Sequence, residues 1–463
     1  MGENLLRDEC DQRGGIFLTA GGEWSCMCWR GWPKYLPKRS AVAAVMRWRA
    51  LDDGGDFVGI ARKIVLRETN LANWKTGFQF ACMTWERLSE QRLMGLAKEF
   101  PAVVVVGARQ VGKTTLARSA FCDAAYRDLE SPLVRQRFAE DPAHELGQLG
   151  GMTILDEAQA VPELFPALRG VIDARRGDGQ CHFCILGSAQ PALIQATSES
   201  LAGRIGLLEL DPLTAAETGL PMAAHWLAGG FPEALRGNFR NWWEPYLSTV
   251  LQRDLAAYGF RPDAVFLRRL LTMLATQQGG LLNMSALGSS LGVSHHTVEH
   301  GLNLLEGVFL IRRLPPFFRN IRKRLVKAPR VYIRDTGLLH HLLHVSTADD
   351  LDNHAGRGAS WEGFVIEDII RRELLAHPFT QCFFWRTATG QEADLVLDRG
   401  SRRIAIEIKA NSAGNPHDAR KLEAMLDDIG ASEGWLVGMG GESVQLNERV
   451  RSVSLDQAPD WLA

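Results

Sequence analysis

The sequence predicts an α/β protein organised around a parallel sheet with helices on both faces, and three observations predict it. Apolar strand patterns alternate with helical ones from Met83 onward. The first of these strands, AVVVVG, runs directly into a glycine-rich turn and a helix. After a mostly helical middle, three closely spaced strands return in a second mixed α/β region.

Taken in order from Met83, the pattern reads helix (TWERLSEQRLMGLAKEF), strand (AVVVVG), helix, loop, strand (GMTILDEAQ), helix, strand (CHFCILGS), helix and strand (GLLELDPL). Residues 216–330 then carry helical periodicity. Pro315, Pro316 and Pro329 break it and mark a boundary. The expected division is 1–82, 83–215, 216–330 and 331–463, in keeping with the roughly three domains that 463 residues imply.

Residues 1–82 stand apart. They hold five of the 13 tryptophans and four of the eight cysteines without a helical or alternating period, so no fold is assigned to them. They read either as an extension upstream of a true start at Met83 or as a Trp/Arg-rich interaction tail.

With 52 basic against 54 acidic residues the net charge is -2, which excludes a polycation wrapped on nucleic acid along its length. Any such contact is expected to be local. The longest apolar runs are far shorter than the ~20 residues of a membrane-crossing helix, and Glu3, Asp8, Glu9 and Asp11 occupy the place of a secretory signal, so a cytoplasmic location is expected. The sparse cysteines read as reduced thiols; Cys26/Cys28 and Cys181/Cys184 lack the spacing or the second pair that zinc requires.

The strongest chemical signal is Gly107-Ala108-Arg109-Gln110-Val111-Gly112-Lys113-Thr114, followed by Thr115, which matches GxxxxGK[ST] between a strand and a helix. Such a loop points several N–H groups inward and adds the positive end of the helix, which together cradle a polyphosphate such as ATP. Lys113 is expected at the β and γ phosphates and Thr114 at Mg2+. A second strand delivers Asp156 and Glu157 to the carboxyl edge of the sheet, Asp156 for the magnesium shell and Glu157 for the attacking water. Ser188 ends a third strand, either to meet the γ phosphate or water or to cap the next helix. Arg204 precedes the last strand, where it reads as a finger for a neighbouring subunit's γ phosphate or as a surface salt bridge.

These strings, with GARQVGKTT, ILDEAQAVPELFPALRG, ILGS, SLAGR, GGFPE, YIRDTGLL and GQEADLVLD, resemble the prokaryotic AAA-family ATP-binding proteins that carry a C-terminal domain of unknown function. The resemblance covers about four-fifths of the chain. It implies an AAA-type P-loop sheet, Walker B roles for Asp156 and Glu157, and the sensor 1 position for Ser188, where many AAA proteins carry asparagine instead.

In the middle, segments Phe266 to Gly280, Ser285 to Leu291 and Val293 to Leu305 read as a helix-turn-helix with a helical lid, Ser294 capping the last helix. Ser294, His295, His296 and Thr297 are then the groups offered to base edges, with VFLIRRLPPF as a wing. From Arg312 to Arg334 lie Arg312, Arg313, Arg319, Arg322, Lys323, Arg324, Lys327, Arg330 and Arg334 with no acid between them, interleaved with Phe317, Phe318 and Tyr332. That stretch suits a DNA backbone, or an acidic neighbour within the protein.

The last region has an α-β-β-β-α-β order with Asp394 on one strand and Glu407-Ile408-Lys409 on the next. It resembles the PD-(D/E)xK superfamily, a restriction-endonuclease-like fold. Alternation on adjacent antiparallel strands brings Asp394 and Glu407 together to hold magnesium, Lys409 shares a face with Glu407 to polarise water, and Glu362 adds a ligand from the first helix. Ala393 stands where that superfamily's name has proline.

The function expected is an ATP-hydrolysing AAA-family ATPase coupled to a DNA-binding, DNA-cleaving C-terminal domain; the alternative is a nucleotide-gated regulatory or protein-interaction switch with an inactive nuclease fold. A homo-oligomer bridged through Arg204 belongs to the first reading.

Overall fold

The computed structural model describes residues 16–20, 23–27, 85–175, 177, 179–188, 201–237, 239–255, 263–318, 325–410, 416–440 and 443–455. The chain divides into two units, Met1–Thr76 and Gly77–Ala463. In the first, strands β1 (Ile16–Ala20) and β2 (Glu23–Met27) pair antiparallel, Ile16 with Met27 and Ala20 with Glu23.

The second unit begins with helix α1 (Ser89–Glu99), then β3 (Ala102–Val106), α2 (Lys113–Ala120) and β4 (Ala125–Asp128). Next come α3 (Pro132–Glu140), α4 (Pro142–Gly147), β5 (Thr153–Asp156), α5 (Leu164–Ala174), β6 (Phe183–Gly187) and β7 (Ile205–Glu209). The five strands form one parallel sheet in the order β4-β5-β6-β3-β7. Every residue of β3 is buried, as a four-valine run flanked by strands on both sides requires: β-branched side chains pack on both faces of the pleat. The segment read as a loop contains β4, α3 and α4. Two prolines at the first helical turns start α3 and α4, and Asp141 caps α4 by accepting from the His144 N–H. The helix expected after β6 lies outside the described residues.

The middle contains α6 (Ala215–Thr218), α7 (Met222–Ala228), α8 (Pro232–Arg236), α9 (Phe239–Ser248), α10 (Ala264–Thr276), α11 (Met284–Leu291) and α12 (His295–Gly307). Asp263, Asn283 and Ser294 cap the last three. An antiparallel ribbon follows, β8 (Ile311–Leu314) with β9 (Arg330–Ile333), so VFLIRRLPPF contributes a strand.

Then come α13 (Thr336–Leu342), α14 (Ala348–Asn353), α15 (Arg357–Ala376), β10 (Gln381–Arg386), β11 (Glu392–Asp398), β12 (Arg403–Ile408), α16 (Pro416–Ile429), β13 (Glu433–Gly438), β14 (Val444–Gln445) and β15 (Val450–Ser454). The second sheet runs β10-β11-β12-β13-β15-β14, antiparallel through β12 and parallel from β12 to β15. The α-β-β-β-α-β order is present, extended by β14 and β15. Helix α15 is buried along most of its length, including Glu367, Asp368, Arg371, Arg372 and Glu373. Charges at such depth persist only when paired. Glu367 meets Arg312, Asp368 meets Arg372, and Glu373 meets Arg399. Among the described residues no helix is long and apolar enough to cross a membrane.

Candidate functional site

The loop after β3 is shaped by its glycines. A Cβ on Gly107 would lie 2.3 Å from the Leu210 carbonyl oxygen, so only glycine lets β7's exit pass this close. Gly112 sits at φ +104°, a conformation that L side chains rarely adopt, and caps α2. Within the loop Lys113 is buried, its Nζ donating to the Gly107 and Ala108 carbonyls at 2.9 Å each. Arg109 lies 3.8 Å from Glu130. Opposite, at the end of β5, Thr114 Oγ1 donates to Asp156 Oδ2 at 2.7 Å. Two hard oxygen donors at that spacing, beside a phosphate cradle, suit magnesium.

Glu157 adopts a left-handed backbone, φ 51° and ψ 47°, where a non-glycine residue costs about 1–3 kcal/mol. Its carboxylate accepts from Ser188 Oγ at 3.0 Å and from the Gln159 amide. The structure therefore brings Glu157 and Ser188 together. A cleft of about 560 Å³ is lined by Gln110, Gly112, Lys113, Thr114, Thr115 and Glu157, together with Trp85, Leu213, Pro232, Glu233 and Arg236. The second set was not foreseen from sequence. The Arg236 guanidinium lies 5.4 Å from the Trp85 ring centroid, and the GGFPE string was the one available signal for it. Tyr126 was missed too; its phenol donates to Asp156 Oδ2 at 2.8 Å, and burial followed by that bond raises its pKa.

Arg204 forms two bonds to Asp173, 2.8 and 2.9 Å, the surface ion pair that was one of its two readings.

At the N-terminus of α12, Ser294, His295, His296 and Thr297 are exposed. Ser294 Oγ accepts from the Thr297 N–H at 3.1 Å and lies 2.9 Å from Thr297 Oγ1, so this pair caps the helix. His295, His296 and Glu299 form, among the described residues, the group of three whose metal-capable atoms all lie within 4.8 Å of one another.

The basic stretch is corrected in part. Arg312 pairs with Glu367, Arg313 with Glu306, Arg330 with Glu362, Glu392 and Asp394, and Arg334 with Glu209, Asp211 and Glu367. These four arginines are engaged with carboxylates of the same chain instead of facing outward as a phosphate-binding strip. Two of the clusters are deeply buried. Glu367 sits at about 2, because Arg312 and Arg334 outweigh the cost of its burial, and Glu209 is likewise lowered by Arg334 against burial. Lys327 is exposed; Arg319, Arg322, Lys323 and Arg324 lie outside the described residues.

In the last region β11 and β12 are antiparallel, and Asp394 and Glu407 follow directly on the Leu395–Ile406 pair. Asp394 Oδ2 accepts from the Ile408 N–H at 2.9 Å, and Lys409 Nζ donates to Glu407 Oε1 at 2.7 Å. Burial first and the Asp394 charge second push Glu407 up to about 7 and Glu362 to about 8. Glu362, Asp394 and Glu407 do not, however, form a close group of three donors, and a guanidinium stands between two of them. Arg330 Nη1 lies 3.2 Å from Glu362 Oε1 and 3.1 Å from Asp394 Oδ1. In this arrangement these oxygens do not fit a divalent ion.

Three segments of the chain match known families. Residues 99–219 match the AAA domain family, 221–349 match a domain of unknown function, DUF8612, and 357–458 match a domain of unknown function, DUF4143. Uncharacterized protein Rv2008c of Mycobacterium tuberculosis is 38% identical over 387 residues, 82% of this chain and 86% of that one; Mb2031c of Mycobacterium bovis matches to the same extent. Among solved structures, the Walker-type ATPase of Pyrococcus abyssi is similar at 17% identity over 55% of this chain and 94% of that one, with a TM-score of 0.37. The nucleotide loop, the acidic strand end and the AAA match make the protein an ATPase, and at 38% identity over most of both chains it belongs to the family of Mycobacterium tuberculosis Rv2008c.

Proposed function

We propose that the protein hydrolyses ATP with magnesium between β3 and β5 and uses the nucleotide state to control a DNA-directed, nuclease-like C-terminal region. The observation that carries the reading is the convergence of Thr114 and Asp156 at 2.7 Å beside the loop that holds Lys113. Gly107, Ala108, Arg109, Gln110, Val111, Gly112 and Thr115 supply the phosphate cradle. Thr114 and Asp156 hold magnesium, which neutralises phosphate charge when bound. Lys113 turns from the Gly107 and Ala108 carbonyls to the phosphates. Glu157 takes the proton of the attacking water, and Ser188, 3.0 Å away, orients its carboxylate.

Arg204 becomes a finger only in an oligomer in which it leaves Asp173. The exposed first turn of α12, with a winged-helix arrangement completed by β8 and β9, supports DNA contact through His295 and His296. Asp394, Glu407 and Lys409 on paired antiparallel strands, with Glu362 beside them, support the PD-(D/E)xK likeness. The domain division 83–215, 216–330 and 331–463 belongs to the same reading.

A second reading, a nucleotide-gated switch with an inactive nuclease fold, is favoured by Arg330 lying between Glu362 and Asp394. Plasmid incubated with magnesium or manganese separates the two. Nicking by the wild type and not by Asp394→Ala supports the first reading, whereas equal nicking, or none, removes the cleavage claim and leaves the ATPase untouched.

A further inference from the structure

The acid cluster is not built from the 357–458 segment alone. Two side chains of β9, a strand of the preceding ribbon, enter it. Tyr332 Oη donates to Glu362 Oε1 at 2.6 Å, and Arg330 spreads over three carboxylates: Glu362 and Asp394 through Nη1, and Glu392 through Nη2 at 2.8 Å. The Arg330 side chain is only 5% exposed and its guanidinium lies 5.1 Å from the Phe384 ring centroid. Both oxygens that face Nη1 are ones a metal would need.

A divalent ion at about 2.0–2.6 Å from those oxygens would sit against a fixed positive group, an arrangement that Coulomb repulsion forbids at this depth. Arginine cannot escape by losing its proton. The two cations are therefore mutually exclusive. One oxygen of the cluster, Glu407 Oε2, is nonetheless buried without a hydrogen-bond partner.

The other end of β9 is anchored elsewhere. Arg334, just past the strand, donates to Glu209 at 2.7 Å and pairs with Asp211, both at the exit of β7. The Asp211 carbonyl accepts from Arg87 Nη2 at 2.5 Å, and Arg87 Nη1 donates at 3.0 Å to the carbonyl of Val111 in the nucleotide loop. A four-residue strand, about 13 Å long, thus joins the nucleotide side of the molecule to the acid cluster.

We propose that Arg330 is a tethered counter-ion that excludes divalent cations from the Glu362, Asp394 and Glu407 cluster. This rests on the nuclease-like reading of that cluster. It explains why a recognisable acid set does not fit a metal as it stands. The carboxylates are bridged from within, by a residue whose strand belongs to the preceding ribbon.

The test uses the full chain and Mn2+ alone, followed by electron paramagnetic resonance or calorimetry without nucleotide. Arg330→Gln is expected to bind Mn2+ at least ten times more tightly than the wild type, and the gained ion is expected to vanish in the Arg330→Gln, Asp394→Asn double variant. Arg330→Lys, which keeps a cation in place, is expected to stay closer to the wild type. Equal Mn2+ affinity in wild type and Arg330→Gln overturns the proposal, as does an Arg330→Lys that binds as tightly as Arg330→Gln. Should Arg330→Gln not fold, as judged by nucleotide binding and a cooperative melt, Glu392→Gln loosens one of the three anchors and is expected to raise Mn2+ affinity; no rise overturns the proposal. If no variant acquires an Asp394-dependent ion, the metal reading of the cluster itself fails with it, while ATP hydrolysis, measured separately, reports on the nucleotide site.

Discussion

The phenol of Tyr126 and the carboxylate of Asp156 share a 2.8 Å hydrogen bond, on the same oxygen that Thr114 uses. Asp156 is thus aimed from two sides before any ligand arrives. A bond to a charged acceptor is worth about 1.5–3 kcal/mol. Tyr126→Phe is therefore expected to lose stability in that range by urea denaturation, and to retain ATP hydrolysis within tenfold. An unchanged urea midpoint would show that the bond contributes nothing.

Lys113 and Glu157 separate binding from chemistry. Lys113→Ala is expected to abolish binding of a fluorescent ATP analogue. Glu157→Gln keeps the side chain's shape and its bond from Ser188 but cannot take a proton, so binding persists while hydrolysis falls by about 10²–10⁴-fold. Normal hydrolysis by Lys113→Ala would sink the assignment of the site.

Arg204 offers a concentration test. It is held by Asp173 within the chain, so the finger role proposed for it requires a subunit contact. Turnover per chain is then expected to rise with protein concentration in the wild type and to stay flat and low in Arg204→Ala. Identical curves would confine Arg204 to its surface ion pair.

Stability should respond to pH on both sides. Glu362, raised from 4.5 to about 8, contributes fully below pH 4.5 and loses its contribution as pH rises through 8; Glu407, raised to about 7, acts in the same direction. His225 and His340 are lowered by burial from 6.5 to about 4, so their contributions are full above 6.5 and vanish as pH falls through 4. For His340 burial outweighs the bond that Nδ1–H donates to the Leu227 carbonyl at 2.9 Å, which favours the charged ring; Nε2 lies 2.8 Å from Ser360 Oγ. Melting temperatures between pH 6 and 8.5 are expected to fall less steeply in Glu362→Gln than in the wild type. Parallel curves would remove Glu362 as the cause.

What could be read from the chain was what is local. The glycine loop, the Asp156-Glu157 strand end and the Asp394, Glu407 and Lys409 spacing each lie within one or two adjacent elements, where residue type and period determine geometry. What escaped was decided at a distance. The four-residue strand AYRD is half-buried and too short for a period, and Tyr126 on it meets an acid 30 positions away. Arg330 and Arg334 stood in a stretch without acids, yet their partners lie up to 125 positions off, so a run of positive charge along the chain became two internal networks in space. Trp85 and Arg236, 151 positions apart, meet in the cleft for the same reason.

Asp335 accepts from the backbone of Gly230, 105 positions earlier, and a Cβ on Gly229 would lie 2.1 Å from its carboxylate. Soon after that glycine pair come Pro232, Glu233 and Arg236, which line the same cleft as Lys113 and Thr114. During synthesis, which runs from the N-terminus at about 5–20 residues per second, the loop of Lys113 emerges many seconds before Asp335. The Gly229–Gly230 turn that leads into Pro232, Glu233 and Arg236 is therefore held by a carboxylate made long after the loop of Lys113, from outside the 99–219 AAA segment.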